Sequence, residues 1–589
     1  MSLINYLNEV VKQSFTKNGI ELEGKIVNLS DRPDLSQFQC NKALELAKEL
    51  KQNPRDIAET IVSDLKDNSI FKDVSIAGPG FINMTLSDTF LASFVQEMSM
   101  DSKLGIDSVE PKKILIDYGG ANVAKPLHVG HLRSAIIGEG LKRLAKELGH
   151  EVIGDVHLGD WGRPLGIVIS EIKRRNPDLI YFDENYSGEY PKESPVTMDE
   201  LNEIYPSASA ACKVDEERLQ EARIATAILQ NDDAVGHRGY YALWKHIIDV
   251  SIESLKENYD RLGVNFELWR GESDCIKSIP EMMDIFEKKN LLKESEGAIV
   301  MDVSEPTDTF EVPPLILKIQ NNSVGYQTTE LATIYERIKE FNPDEIWYVV
   351  DGRQEMHFQQ VFRGAYKSGI VPSNVKLRFI GFGTLNGKDG KPFKTRDGGV
   401  MRLSDLLELV KQSSKERLIS DNKELSEKEI DDISYKIADA SIKYADALSI
   451  RTTDYIFDID KFIENQGKTG PYILYSAVRI KSLLNKAMEK DIKGGVLQAP
   501  LKDEERNLML CISRLPDIIN LSYENKSLTE IADYLFDLNS SYNSFYNGTK
   551  ILSEIDKEKQ ESWIHLSEIV GKINKKLLYI MAIEEPDKM

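Results

Sequence analysis

His128 and His131 flank Gly130 in the stretch Gly120-Ala121-Asn122-Val123-Ala124-Lys125-Pro126-Leu127-His128-Val129-Gly130-His131, which joins a short apolar run to an amphipathic one. A helix starting there presents unpaired N–H groups and the positive end of its dipole, which favours anions. Both histidines can donate hydrogen bonds to phosphate oxygens, Lys125 adds a fixed positive charge, and Gly130 permits close approach of a ligand. The plainer reading is a capped helix with two surface histidines. A second constellation lies between positions 376 and 396. Six positive residues (Lys376, Arg378, Lys388, Lys391, Lys394, Arg396) meet one negative, Asp389, so a +5 segment sits in a chain of net charge −22. Its core, Asn386 to Gly399, is rich in glycine. Lysines spaced as Lys391-Pro392-Phe393-Lys394 can close over a polyphosphate and stabilise charge on the leaving group. A solvated hairpin tip is the competing reading, because Asn-Gly and Asp-Gly form turns readily. A third segment, Lys468 to Lys490, holds five positive residues and one negative, with Tyr472 and Tyr475 nearby. Cations and exposed rings in one stretch suit phosphates and splayed bases, although Tyr475, Val478 and Leu483 also fit a helix core. Asn539 to Tyr546 is a second aromatic helix.

The elements that must hold these residues are visible in the patterning. Ile114 to Tyr118 is nearly continuous apolar, as in a strand buried on both faces. A helix from Val129 with apolar positions at Leu132, Ile136, Leu141, Leu144 and Leu148 follows, with Gly149 as its cap, and then a strand at Glu151 to Val156. Strand, helix, strand in this order is the βαβ unit of a parallel nucleotide-binding sheet. Further strands are predicted at 345–351 and 376–382, with a polar, then helical insertion over about 175–325. Residues 1 to about 108 read as a compact α+β unit, with helices from Asn41 and after Pro54, strands at Val74–Ala77 and Phe81–Met84, and a helix from Thr89 to Met98. From Asp432 onward the chain reads as almost wholly helical, with an extended piece at Ile450–Phe457 and helices at 470–490, 503–523, 528–546 and 557–580.

The composition fits this division. With 589 residues, 41% hydrophobic and 29% charged, the chain exceeds the ~250–300 residues at which one core stops growing, which predicts three or four domains. The sum of 74 Lys+Arg against 96 Asp+Glu speaks for solubility and against simple electrostatic capture of nucleic acid. The basic segments are local exceptions. Cys40, Cys212, Cys275 and Cys511 lie far apart without a Cys-x-x-Cys pair, so neither a disulfide framework nor a cysteine zinc site is expected. The first residues carry no secretory pattern, and no run approaches the ~18–20 apolar residues of a membrane helix. The expectation is a cytosolic chain without a structural metal.

Taken together, the segments resemble class I aminoacyl-tRNA synthetases, and specifically the arginyl-tRNA synthetase family. His128-Val129-Gly130-His131 matches that class's HIGH motif, and Lys391-Pro392-Phe393-Lys394-Thr395 its KMSKS loop, degenerate at the second and third positions. Asn122 to Gly138, His157-Leu158-Gly159-Asp160-Trp161-Gly162 and Gly387 to Arg396 look like the arginyl members alone, and the likeness runs over nearly the whole chain. The resemblance implies a multidomain α/β fold. An N-terminal added α+β domain (1–108) would contact the tRNA elbow. A Rossmann-type parallel-sheet catalytic domain (109–400) would carry the insertion, a helical stem would span 401–465, and an all-α anticodon-binding bundle 466–589.

The activity implied is adenylation of arginine by ATP and transfer to the terminal ribose of tRNA(Arg), first to the 2′-hydroxyl. The attacking carboxylate is ionised at neutral pH, so activation needs no general base, and catalysis should rest on positioning and cationic stabilisation of phosphate. The resemblance assigns that work to Lys125, His128, His131, Lys391 and Lys394, with Gly130 also at ATP. Arginine would be read by carboxylates and acceptors, which map onto Asp117, Asn122, Tyr326, Glu330 and Gln354. This chain has Asp117 where members often carry Glu, and Glu330 where they often carry Asp, which leaves open which carboxylate meets the guanidinium. His157, Asp160 and Trp161 would shape the adenylate pocket, and His357 could line it. Contacts to tRNA map onto Phe38, Gln39, Asn41, Tyr475, Arg479 and Tyr542. Mg²⁺ is expected with ATP, no protein-bound structural metal and no membrane are expected, and a monomer is favoured. A cysteinyl-type synthetase is disfavoured by the missing zinc cysteines, and a silent RNA-binding paralogue by the intact His128, Gly130, His131, Lys391 and Lys394.

Overall fold

The computed structural model describes residues 2–32, 35–230, 237–319, 324–391, 393, 401–421 and 425–589. Two compact units emerge: Glu110–Ile463 with Ile580–Ile583, and Met1–Val109 with Glu464–Tyr579 and Glu584–Met589.

The first of these is built on four parallel strands, Lys113–Asp117, Glu151–Asp155, Glu345–Asp351 and Lys376–Phe382. Their spatial order is Lys376–Phe382, Glu345–Asp351, Lys113–Asp117, Glu151–Asp155. The order reverses between Lys113–Asp117 and Glu345–Asp351, and ligands bind parallel sheets in the crevice beyond the carboxyl ends of strands at such a switch point. Asp117 is the last residue of its strand, level with Asp155 on one side and Tyr348 on the other. The helix Val129–Leu148 crosses the sheet and ends at Gly149 in the left-handed conformation, φ 102°. Gly138 lets this helix settle on the Tyr118 ring, because a Cβ there would fall 2.3 Å from the ring carbons.

The insertion carries helices at Met198–Ala211, Glu216–Gln230, Arg238–Arg261 and Ile279–Lys288, and also a three-stranded antiparallel sheet, Leu292–Ser295, Ala298–Met301 and Leu315–Lys318. The expectation of a polar, then helical insertion is corrected in that it also holds strands. The strands are four residues each, and Leu292–Ser295 is mostly exposed and polar, so no alternating pattern marks it. Met301, Leu315 and Leu317 join the core of the parallel sheet through Leu331, Ile346 and Val361. Helices Leu403–Asp421 and Glu427–Leu448 follow, and a short strand, Tyr455–Ile456, pairs in parallel with Leu385–Asn386.

In the other unit an antiparallel sheet, ordered Val27–Leu29, Phe38–Cys40, Phe81–Leu86, Phe71–Ala77, is joined by helices Leu3–Lys17, Lys42–Leu50, Pro54–Leu65 and Asp88–Met100. The C-terminal part is helical, with Gly470–Glu489, Asp503–Ser513, Leu515–Asn525, Thr529–Asn547 and Lys557–Ile580. The helix expected over 503–523 is broken at Arg514, because Pro516 has no N–H for the bond that would continue the first helix. Arg506 pairs with Asp88 at 2.6 Å and ties the bundle to the N-terminal sheet unit. Among the described residues, no helix is long and apolar enough to cross a membrane. All four cysteines are buried and free.

Candidate active site

His128 is the N-cap of the helix Val129–Leu148. Its Nδ1 accepts from the Gly130 N–H at 3.1 Å, while Nδ1 of His131 accepts from the His128 N–H at 3.1 Å. The imidazoles thus do the work of a Ser/Glu capping box, and their rings stack at 3.8 Å between centroids. Because each Nδ1 is an acceptor, each neutral ring carries its proton on Nε2. Burial keeps them neutral: it drives His131 down to about 3, helped by repulsion that disfavours charging it beside His128 and Lys125, and with Lys125 also lowers His128. Two Nε2–H donors at a helix N-terminus suit phosphate oxygens. A Cβ on Gly130 would sit 2.8 Å from His128 Cε1, so the glycine gives the first ring its place. Lys125 lies with its ammonium 4.3 Å over the Tyr205 ring.

The Gly-rich segment begins as the turn its composition suggested. The Gly387 N–H donates to the Lys391 carbonyl at 2.8 Å, Gly390 is left-handed at φ 71°, and Lys388 pairs with Asp458 at 2.9 Å and Asp460 at 2.6 Å. Lys391 is exposed at this turn, and Lys394 lies outside the described residues. Beyond the segment the chain returns to the histidines: Val129 N–H donates to Met401 O at 3.1 Å, and Leu403 N–H to Leu127 O at 2.9 Å. Met401 N–H in turn donates to Phe393 O at 3.2 Å. The two motifs, distant in sequence, are joined through backbone hydrogen bonds.

At the carboxyl ends of the strands lies an acidic cluster. Arg337 reaches from the helix Tyr326–Phe341, and its Nη2 donates to Asp117 at 2.7 Å and Asp155 at 2.6 Å, its Nη1 to the Tyr348 hydroxyl at 3.1 Å. Asp117 is therefore committed to an internal arginine. Glu330 is 4% exposed, and its Oε2 has no hydrogen-bond partner among the described residues. Burial, with Asp117 adding repulsion, raises its pKa, against the opposing pull of His157 and Arg337. Glu272 is pushed up to about 7 by burial, with Glu330 and Asp160 adding to the push and His157 opposing it. Asp160 is raised by burial although it accepts from the Ser273 N–H at 2.9 Å and hydroxyl at 2.5 Å. His157 faces these carboxylates from a left-handed backbone, φ 37°, with a buried Nδ1 that has no partner among the described residues. The Tyr326 ring, half exposed, stacks on His357 at 4.7 Å, and its hydroxyl faces Glu330. Burial lowers His357 to about 4.

Asn122 forms a bridge with Gly159 and fills the space where a Gly159 Cβ would fall, 2.2 Å from its Oδ1. Gln354 is half-buried on the single turn Gly352–Gln354 after the third strand. Trp161 packs edge-on against Trp244 at 5.9 Å. Sequence reasoning missed Glu272 and Arg337. Arg337 was findable, since Tyr326, Glu330 and Arg337 share one face of a helix at offsets of four and eleven. Glu272 carried no signal: it sits on irregular chain that reaches the site through bridges such as Leu158 with Gly271.

The residues expected at tRNA divide. Tyr475 is 46% exposed, and the Arg479 guanidinium lies 4.9 Å from its ring centroid and 5.3 Å from that of Tyr546. Arg479 also donates to Asn543 Oδ1 at 2.7 Å. Tyr542 is fully buried, with its hydroxyl donating to Ser567 at 3.2 Å, so it packs and does not offer a stacking face. Lys468 and Lys481 are paired with Asp533 and Asp587, each at 2.6 Å, which trims the apparent +4. Phe38, at 3% exposed, belongs to the core of the N-terminal sheet and presents no ring. Gln39 donates to Asn83 at 2.9 Å, and Asn41 precedes the Lys42–Leu50 helix with a buried Oδ1 that has no partner among the described residues.

Residues 94–459 match the family of class I tRNA synthetases (R), catalytic domain, residues 1–86 the arginyl tRNA synthetase N terminal domain, and residues 473–589 the DALR anticodon binding domain. The chain is 49% identical over 589 residues to an arginine–tRNA ligase of Alkaliphilus oremlandii (strain OhILAs), covering all of both chains. It is 46% identical to an arginine–tRNA ligase of Agathobacter rectalis, again over the full length of both. In fold it is similar to the arginyl-tRNA synthetases of Plasmodium falciparum (TM-score 0.79, 24% identity, 100% of this chain and 99% of that one) and Thermus thermophilus (TM-score 0.78, 19% identity, 100% of both).

Proposed function

The chain belongs to the arginyl-tRNA synthetases, enzymes that join arginine to tRNA(Arg) at the expense of ATP, and on that premise we propose how its residues share the work. The observation that carries the assignment is the Glu330 carboxylate, buried with a free oxygen at the switch point. Glu330 and Glu272 receive the substrate's guanidinium, Tyr326 and Gln354 line its path, and Asn122 frames the entrance. The Arg337 bond to Asp117 supports Glu330 over Asp117 as the carboxylate that meets the substrate. A planar cation with five donors suits several acceptors, and removing one partner of a buried, hydrogen-bonded charge pair is costly because the other is left unpaired.

The arginine carboxylate attacks the α-phosphorus of ATP, forming the mixed anhydride and releasing diphosphate. A hydroxyl of the terminal ribose then attacks the arginyl carbonyl, giving the ester and releasing AMP. The Nε2–H groups of His128 and His131, with Lys125, Lys391 and Lys394, supply donors and positive charge to the phosphates, and Gly130 leaves room for the nucleotide. ATP would enter as its Mg²⁺ complex, the cation offsetting phosphate charge beside Lys125, His128, His131, Lys391 and Lys394. Tyr475 and Arg479, with Tyr546, form the anticodon-facing surface, while Gln39 and Asn41 are the elbow contacts. The enzyme works as a cytoplasmic monomer. The direct test offers each amino acid with ATP, Mg²⁺ and total tRNA: arginine alone should be esterified, and a folded preparation that fails to charge it would remove the assignment.

A further inference from the structure

We propose that Arg133 is the positioning residue that fixes the incoming end of the Lys391 loop to the helix carrying His128 and His131. The inference rests on the reading that this loop serves ATP. Arg133 lies in the helix Val129–Leu148 just beyond the histidines and is 1% exposed. Its Nε donates to Asp446 at 2.7 Å, and its Nη1 donates to the carbonyls of Gly383 at 2.7 Å and Thr453 at 3.0 Å. The guanidinium also lies 5.0 Å from the Tyr455 ring centroid and 5.9 Å from that of Phe382.

These contacts come from three different segments. Asp446 is on the helix Glu427–Leu448. Gly383 is the residue where the strand Lys376–Phe382 leaves the sheet for the loop, and Thr453 precedes the strand that pairs with Leu385–Asn386. Further bonds bind the loop's stem to that partner: Gly383 N–H to Arg451 O, Thr384 N–H to Asp454 Oδ1, Tyr455 N–H to Thr384 O and Phe457 N–H to Asn386 O. One buried cation thus holds the outgoing strand, the strand's partner and the adjoining helix to the histidine helix. The loop's other end is held to the same helix by the backbone bonds at Met401 and Leu403.

A guanidinium is a costly way to fill this space. Burying it carries a desolvation penalty of several kcal/mol that only well-directed acceptors offset. What it supplies is direction, because its planar fork fixes the angles as well as the distances of its acceptors. Apolar packing would fill the volume but leave the strand freer to slide along the helix. No atom of Arg133 needs to meet ATP. It acts through the position of Lys391, and misplacement of a reacting group by about 1 Å can cost roughly 10²-fold in rate.

The test compares Arg133→Gln, Arg133→Lys, Gly383→Ala and Lys391→Ala in the full-length chain, measuring kcat and KM for ATP in arginine charging, equilibrium binding of arginine, and Tm. In Gly383→Ala the new Cβ would lie 2.3 Å from the Thr453 carbonyl carbon, displacing two of Arg133's acceptors while the Arg133 side chain itself is kept. Arg133→Gln should lower kcat by about 10²-fold and raise KM for ATP while arginine binding stays at the wild-type level. Arg133→Lys should recover part of the loss, and Gly383→Ala should copy Arg133→Gln. Wild-type ATP kinetics in folded Arg133→Gln, or loss of arginine binding in step with ATP kinetics, would overturn the proposal. Should Arg133→Gln fail to fold, wild-type ATP kinetics in Arg133→Lys and Gly383→Ala would overturn it equally. Lys391→Ala separates the premises: if it leaves ATP kinetics unchanged, the ATP reading of the loop fails, whereas impaired Lys391→Ala beside normal Arg133 and Gly383 variants rejects the positioning role.

Discussion

Glu330 and Asp117 are both carboxylates at the switch point, yet Asp117 is paired with Arg337 while Glu330 Oε2 has no partner among the described residues. Glu330→Gln should raise KM for arginine by the equivalent of about 2–5 kcal/mol, the usual cost of breaking a buried charge pair, with KM for ATP nearly unchanged. Asp117→Asn should chiefly lower Tm, because it strips a partner from the buried Arg337. Steady-state kinetics and thermal melts on the two variants would expose a swapped assignment. Glu272 adds a pH signature. Its folded-state value of about 7 means that acidification through that region protonates it and removes a charge from the carboxylates proposed to receive the guanidinium. KM for arginine should therefore rise as pH falls below about 7, and Glu272→Gln should flatten that rise; an unaltered profile in the variant would assign the titration elsewhere.

At the scale of elements, the helix Val129–Leu148 does three things with one local sequence. Its first turn presents two Nε2–H donors, its middle takes the Tyr118 ring against Gly138, and Arg133 anchors the loop stem. Because the ring approaches the helix backbone so closely, Gly138→Ala must push the helix off the sheet. A Tm loss corresponding to about 1–3 kcal/mol is expected from such overpacking, together with slower adenylation, since the histidines move with the helix. A melt indistinguishable from wild type would show that the helix and Tyr118 adjust without strain. In the C-terminal bundle, the spacing of Leu535, Leu538, Tyr542 and Phe545 is that of one buried face. That spacing is the signal that places Tyr542 in the core and leaves Tyr546 beside Arg479.

For the whole molecule, the net charge of −22 is compatible with a tRNA partner because cationic side chains are concentrated locally and only some are neutralised by ion pairs. Arg479→Ala should weaken tRNA binding and reduce its salt slope by about one, while ATP binding is spared; unchanged tRNA affinity across a salt series would return the Tyr475–Arg479 surface to a packing role. The sequence by itself determined the parallel βαβ scaffold, the histidine cap and the turn at Gly387–Lys391, because each is encoded by contiguous residues whose spacing obeys a helix, strand or turn period. The small insertion sheet escaped it, since strands of four residues carry too little alternation. Only the tertiary structure showed that Asp117 pairs with Arg337 while Glu330 keeps an oxygen without a partner among the described residues, that Glu272 lies buried near Glu330 and Asp160, that Phe38 faces inward, and that Arg133 bonds to Gly383, Thr453 and Asp446. Those outcomes depend on partners far along the chain: whether Asp117 or Glu330 is paired inside the protein follows from where Arg337 reaches, and a guanidinium's choice of carboxylate is a matter of distance and burial, which no local pattern records.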